Sequence, residues 1–152
     1  MNKTFKVFIL ISILFITGCG KDKYITCKSE ITNKENNYTL SATYKIYYKD
    51  SYVTKIEKEE IYKSSSEDII EYFNEFKNLE YDNLNDLYGG YTYIINSDKE
   101  SLNISAVIDM NNVDVKAMIK NGYLNEDYAI SNRLTTSGAK YFYKAKGATC
   151  DI

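Results

Sequence analysis

Three kinds of side chain in this sequence could do chemistry: a serine–lysine pair, clustered carboxylates and a few thiols. Ser137 and Lys140 stand in Ser-x-x-Lys spacing, in which a lysine amine can take the proton of a serine nucleophile. The Ser-Asp-Asn and Lys-Thr-Gly elements that complete such a site are missing. Ser137 therefore reads as a helix cap. Glu57, Glu59 and Glu60 crowd one segment. On a strand the first two share a face and Glu60 takes the other, and no second cluster supplies the complementary acid or base. Charge on an edge strand, which deters aggregation, is the simpler expectation. Asp82-Asn83-Leu84-Asn85-Asp86 is rich in oxygen ligands. Leu84, however, fills the third position, where a calcium loop needs a ligand, so a solvated loop is expected. The chain has no His, hence no imidazole base and none of the commonest nitrogen metal ligand. No catalytic residue, metal or cofactor is expected.

The thiols are more informative. Cys19 follows a leader with two features of export: Lys3 and Lys6 near the start, then an apolar run over 7–16 broken only by Ser12. That run is shorter than the roughly 20 residues that a spanning helix needs and fits the core of a removable signal peptide. Ile16-Thr17-Gly18-Cys19 resembles the lipobox of bacterial lipoproteins. The resemblance implies cleavage between Gly18 and Cys19 and a diacylglycerol on the Cys19 thiol. Each buried methylene contributes about 0.8 kcal/mol, and two or three palmitate-like chains hold stably where one does not. The expected location is the extracytoplasmic face of the cell membrane, with membrane lipid as the first partner.

Cys27 and Cys150 remain, one near each end of the exported part. An even pair outside the cytoplasm is expected to form a disulfide. The whole chain has 152 residues and a formal charge of −2, and the leader removes two lysines and no acid. A mildly acidic remainder argues against nucleic acid, which wants a basic face.

These residues must be held by a domain. The expected layout is a signal peptide over 1–18, a polar tether over 19–23 and a single domain over 24–152. Tyr24 to Ile31 reads as a first strand. Tyr38 to Tyr48 alternates apolar and polar residues with period two, giving one buried and one wet face. Tyr44, Tyr48, Tyr91 and Tyr93 fall inward, whereas Tyr47 falls on the wet face and is the best candidate for an exposed contact. Lys49-Asp50-Ser51 turns the chain into a third strand over 52–62. Ser64 and Glu67 match a capping box. The helix it opens would bury Ile69, Ile70, Phe73 and Phe76 and fade near Tyr81, followed by a loop from Asp82 to Gly90. Two further strands begin at Tyr91 and near Leu102. A short helix over 113–120 and a last helix over 137–146, stopped by Gly147, complete the reading. Residues 123–135 carry no readable pattern. The class is α+β: an antiparallel sheet of about five strands in hairpin order, with two or three helices on one face.

Cys19, the tether, Tyr24-Ile25-Thr26-Cys27, the Tyr- and Thr-rich hairpin, the capped helix and the final Gly147-Ala148-Thr149-Cys150 resemble the YehR-like small bacterial lipoproteins. That resemblance implies an α+β domain on a lipid anchor and little about activity. The functional expectation is a non-enzymatic binding or accessory module for an envelope protein, peptide or glycan. The alternative is a small envelope hydrolase using carboxylates.

Overall fold

The computed structural model describes residues 23–151. Gly18, Cys19 and most of the tether lie outside the described residues. Lys23 already belongs to the first strand, β1 (Lys23–Asn33), which pairs along its length with β2 (Tyr38–Lys49). Asp50 and Ser51 both have positive φ, of 49° and 68°. That conformation matches the right-handed twist of a tight hairpin, and it sends β2 into β3 (Tyr52–Ser64). β4 (Tyr91–Ser97) and β5 (Ser101–Asp109) form a second hairpin, and β5 pairs with β3. The short β8 (Thr149–Cys150) joins the outer side of β1, after a small separate hairpin of β6 (Ala129–Ile130) and β7 (Arg133–Leu134). The main sheet thus has six strands in the order β4-β5-β3-β2-β1-β8. The class is α+β, with the returning C-terminal tail as the strand beyond the expected five.

β3 sits inside this sheet, between β5 and β2. The edge-strand explanation of its glutamates is therefore wrong, and each one needs another reason. β3 also runs two residues past Tyr62, which removes Ser64 from the expected capping box. Ser64 Oγ instead donates to the Asn37 carbonyl at 2.7 Å and accepts the Ser66 N–H. Ser66 is the N-terminal boundary of helix α1 (Glu67–Tyr88) and makes no side-chain cap bond.

α1 does not fade at Tyr81. Ile70, Phe73, Lys77, Tyr81, Leu84 and Tyr88 recur at three-to-four spacing, which keeps one stripe of the helix on the sheet. The expected loop over 82–86 is helical, and the stop comes at Gly89, with φ of 69°. Phe76, expected inward, is 47% exposed. The second helix, α2 (Val115–Lys120), starts two residues later than expected and is capped by Asp114. The last, α3 (Thr136–Ala145), is capped by Thr135, whose Oγ1 accepts the Gly138 N–H, so Ser137 is not its cap.

The core lies between one sheet face and the helices. Ile46, Ile56 and Ile108 stand side by side across three strands, and Tyr143 of α3 covers Tyr44 with ring centres 4.1 Å apart. The unreadable stretch over 123–135 is a 3-10 turn (Glu126–Tyr128) leading into the β6–β7 hairpin. That turn packs so closely on α3 that a Cβ at Gly138 would fall 2.0 Å from the Tyr128 carbonyl oxygen.

Candidate functional site

Among the described residues, the helices cover one face of the sheet and leave the other bare. Along the bare face run Thr43, Lys45 and Tyr47 of β2, Lys55, Glu57 and Glu59 of β3, and Ser105 and Val107 of β5, all on the side opposite the buried alternation. Tyr24 and Tyr47 are neighbours there, with ring centres 5.4 Å apart, and Tyr24 is 53% exposed. Lys55 Nζ lies 4.1 Å from the Tyr47 ring centre. Its ammonium also binds Glu57 at 2.8 Å, and the Tyr47 hydroxyl donates to the other oxygen of the same carboxylate at 2.8 Å. The hydrogen bond from Lys55 holds the Glu57 carboxyl below its ordinary pKa, and the bond to Glu57 raises the Tyr47 phenol. The result is an aromatic pair with a charge pair at its rim, on the bare face of the sheet. Tyr47, singled out from sequence, is half-buried there and is orientated by Glu57.

The other carboxylates separate by face. Glu59 lies on the bare side, between Thr43 and Ser105. Glu60 points inward and is 4% exposed. Its carboxylate lies 3.1 Å from Lys58 and 3.7 Å from Lys77, and it accepts the Tyr81 hydroxyl at 3.2 Å. Lys77 also pairs with Glu80. Burial lowers the Lys58 pKa and the nearby Glu60 opposes that shift. Sequence reading missed this network because Lys77 and Glu80 lie on another element. The available signal was the alternation that put Glu60 on the same strand face as Ile56 and Tyr62.

The remaining candidates fall apart in space or serve the fold. Tyr44 and Tyr91 are buried as expected, and Tyr48 and Tyr93 are half-buried beside the core. Asp82 accepts the Tyr93 hydroxyl at 2.6 Å, tying α1 to β4. No group of metal-ligating side chains occurs among the described residues. Ser137 is exposed at the start of α3. Lys140 lines a hollow of about 550 Å³ together with Tyr24, Tyr48, Ser51, Thr136 and Asp151. Cys27 and Cys150 face each other across β1 and β8 and are joined as a disulfide.

No family model matches this chain, and no curated protein matches it. Two solved structures resemble it. The NMR structure of the E. coli YehR protein aligns with a TM-score of 0.54 at 20% identity, covering 86% of this chain and 92% of that one. An NMR structure of a protein from Streptococcus pneumoniae TIGR4 aligns with a TM-score of 0.46 at 16% identity, covering 90% of each. The first establishes a YehR-like α+β fold for this chain.

Proposed function

We propose that this protein is a lipid-anchored, non-enzymatic module of the bacterial envelope, held on the extracytoplasmic face of the membrane by an acylated Cys19. Its bare sheet face takes a protein, peptide or glycan partner. The observation that carries the binding role is the uncovered face bearing Tyr24 and Tyr47 beside the Lys55–Glu57 pair. Tyrosines of this kind offer apolar area with a polar tip, a combination enriched at contact surfaces. The small hydroxyls of Ser41, Thr43 and Ser105 leave room for a partner to approach the strands. The carboxylate-hydrolase alternative would need two acids facing one cleft, whereas Glu57 and Glu59 lie side by side on the open sheet face and Glu60 points to the opposite, helix-covered side.

In-cell photocrosslinking tests the reading. A photoreactive side chain at Thr43, on the bare face, is expected to capture a discrete envelope component, and Tyr47→Ala is expected to abolish the capture. The same group at Ser137, exposed at the start of α3, should capture little. Equal yields from both positions, or none from Thr43, would contradict the proposed surface.

A further inference from the structure

We propose that the outer edge of β4 takes an extended, basic peptide segment, which adds to the sheet as a further antiparallel strand. β4 is a terminal strand: β5 pairs with one side, and no described strand pairs with the other. The Gly90 carbonyl accepts the Asp109 N–H, and the Asp98 N–H donates to the Ser101 carbonyl, so the even positions face β5. The main-chain groups of Tyr91, Tyr93, Ile95 and Ser97 therefore face outward. Asn85 Oδ1 takes the Tyr91 N–H at 3.1 Å. The N–H and carbonyl of Tyr93 and of Ile95 stay open to a new strand. Natural edge strands commonly deter such pairing with charge or proline. Residues 91–97 contain neither, and Ile94 is 64% exposed.

The surroundings of this edge select the partner. The Tyr93 hydroxyl donates to Asp82 and lies 3.5 Å from the Asn78 carbonyl, which marks the side of α1 nearest β4. Three-to-four spacing puts Glu71 on the same side. At the end of the strand, Glu67, Glu71, Asn74, Ser97 and Asp98 line a hollow of about 380 Å³. Lys77, the one lysine of α1, turns inward to Glu60, and α1 has no arginine. Lys99, on the adjoining turn, is paired with Glu67. Glu67, Glu71, Asp82 and Asp98 thus outweigh Lys99 along the edge. Residues of an added strand opposite Tyr93 and Ile95 share their face and point toward α1, where lysine or arginine meets these carboxylates. Residues opposite Ile94 fall on the bare face, where an apolar side chain covers it. A second copy is the poorer fit, because symmetric pairing of β4 with itself would set Glu71 and Asp82 of both copies against each other.

The probe is a short peptide of alternating Lys and Val, titrated onto the full-length protein in detergent beside a peptide with Glu in place of Lys. The lysine peptide is expected to slow amide exchange at Tyr93 and Ile95 about tenfold. Glu30 and Thr32, on the part of β1 that β8 leaves open, should exchange as before. N-methylation of the lysines removes the N–H groups that face β4 and should abolish binding, whereas N-methylation of the valines should not. Glu67→Gln with Glu71→Gln should weaken binding about tenfold. Glu126→Gln with Asp127→Asn, an equal change of charge on the 3-10 turn, should leave it unaltered. Tyr47→Ala, which tests the bare face, should also leave it unaltered, so the two surfaces succeed or fail separately. Equal affinity for both peptides, binding of neither, or protection at Glu30 and Thr32 instead overturns the proposal. Protection of Tyr93 and Ile95 that grows with protein concentration before any peptide is added assigns the edge to a second copy and overturns it too.

Discussion

Glu60 gathers the charges of the inner layer. Two ammonium groups and a phenol converge on its carboxylate, beneath α1 and away from water. Removing one member of a buried ion cluster leaves uncompensated charge, which typically costs about 3–5 kcal/mol. Glu60→Gln should therefore lower the unfolding free energy by about 3 kcal/mol, read from urea denaturation at constant m-value. Replacing Glu60, Lys58 and Lys77 together by Leu and Met should restore most of that loss, since a well-packed apolar substitute is often neutral. Strand alternation shows in the sequence that Glu60 shares a side with Tyr62 and Ile56. Its partners could not be read, because Lys77 and Glu80 belong to a helix whose placement over β3 is a tertiary fact. Tyr47 was legible as the outward tyrosine of its strand. The Glu57 and Lys55 groups that fix it lie on β3, and only the β2–β3 register joins them.

At the scale of elements, the hairpins of the sheet could be read from alternation and turn residues, and α1 only in its first half. A lysine at position 77 interrupts the apolar stripe, and the polar run over 82–86 looks like a loop until Leu84 and Tyr88 are seen to continue the same face. The closing of β8 on β1 followed from the cysteine pair alone. Two predictions belong here. The Cys27–Cys150 bridge spans 123 residues, so the chain-entropy estimate of its stabilisation is about 4–5 kcal/mol. Cys27→Ser with Cys150→Ser should lower the denaturation midpoint accordingly, and an unchanged midpoint would mean that the bridge constrains little. Gly138→Ala would drive a methyl into the Tyr128 backbone. Such overpacking costs about 1–3 kcal/mol. The upper end is expected here, because the obstacle is main chain and cannot rotate away. Thermal unfolding of this variant by circular dichroism checks it. Residues 123–135 had no periodicity to read because they form a turn and a two-residue hairpin held by α3 and the β2–β3 turn.

The whole molecule is a layer of helices on one side of a sheet, with tyrosines filling much of the space between. Burial raises the phenol pKa of Tyr62, Tyr81, Tyr91 and Tyr143, and pushes Tyr123 up to about 12. A folded-state pKa above the unfolded value of 10.0 gives stability that is complete below pH 10 and lost as pH climbs toward the folded value. Lys58 and Lys146, whose pKa values burial lowers, act in the opposite sense below 10.5, but the tyrosines outnumber them. The fold should hold through neutral pH and unravel between about pH 10 and 12, with tyrosinate absorbance rising together with the loss of ellipticity. Buried phenols that ionised before the fold opened would contradict this packing. The account of the molecule as an envelope module depends on its attachment, and the most direct measurement is the mass of the N-terminal peptide of the protein purified from its native host. The predicted result is a chain that begins at Cys19 and carries a diacylglycerol on its thiol. A peptide that still includes residues 1–18, or an unmodified cysteine at position 19, would contradict it.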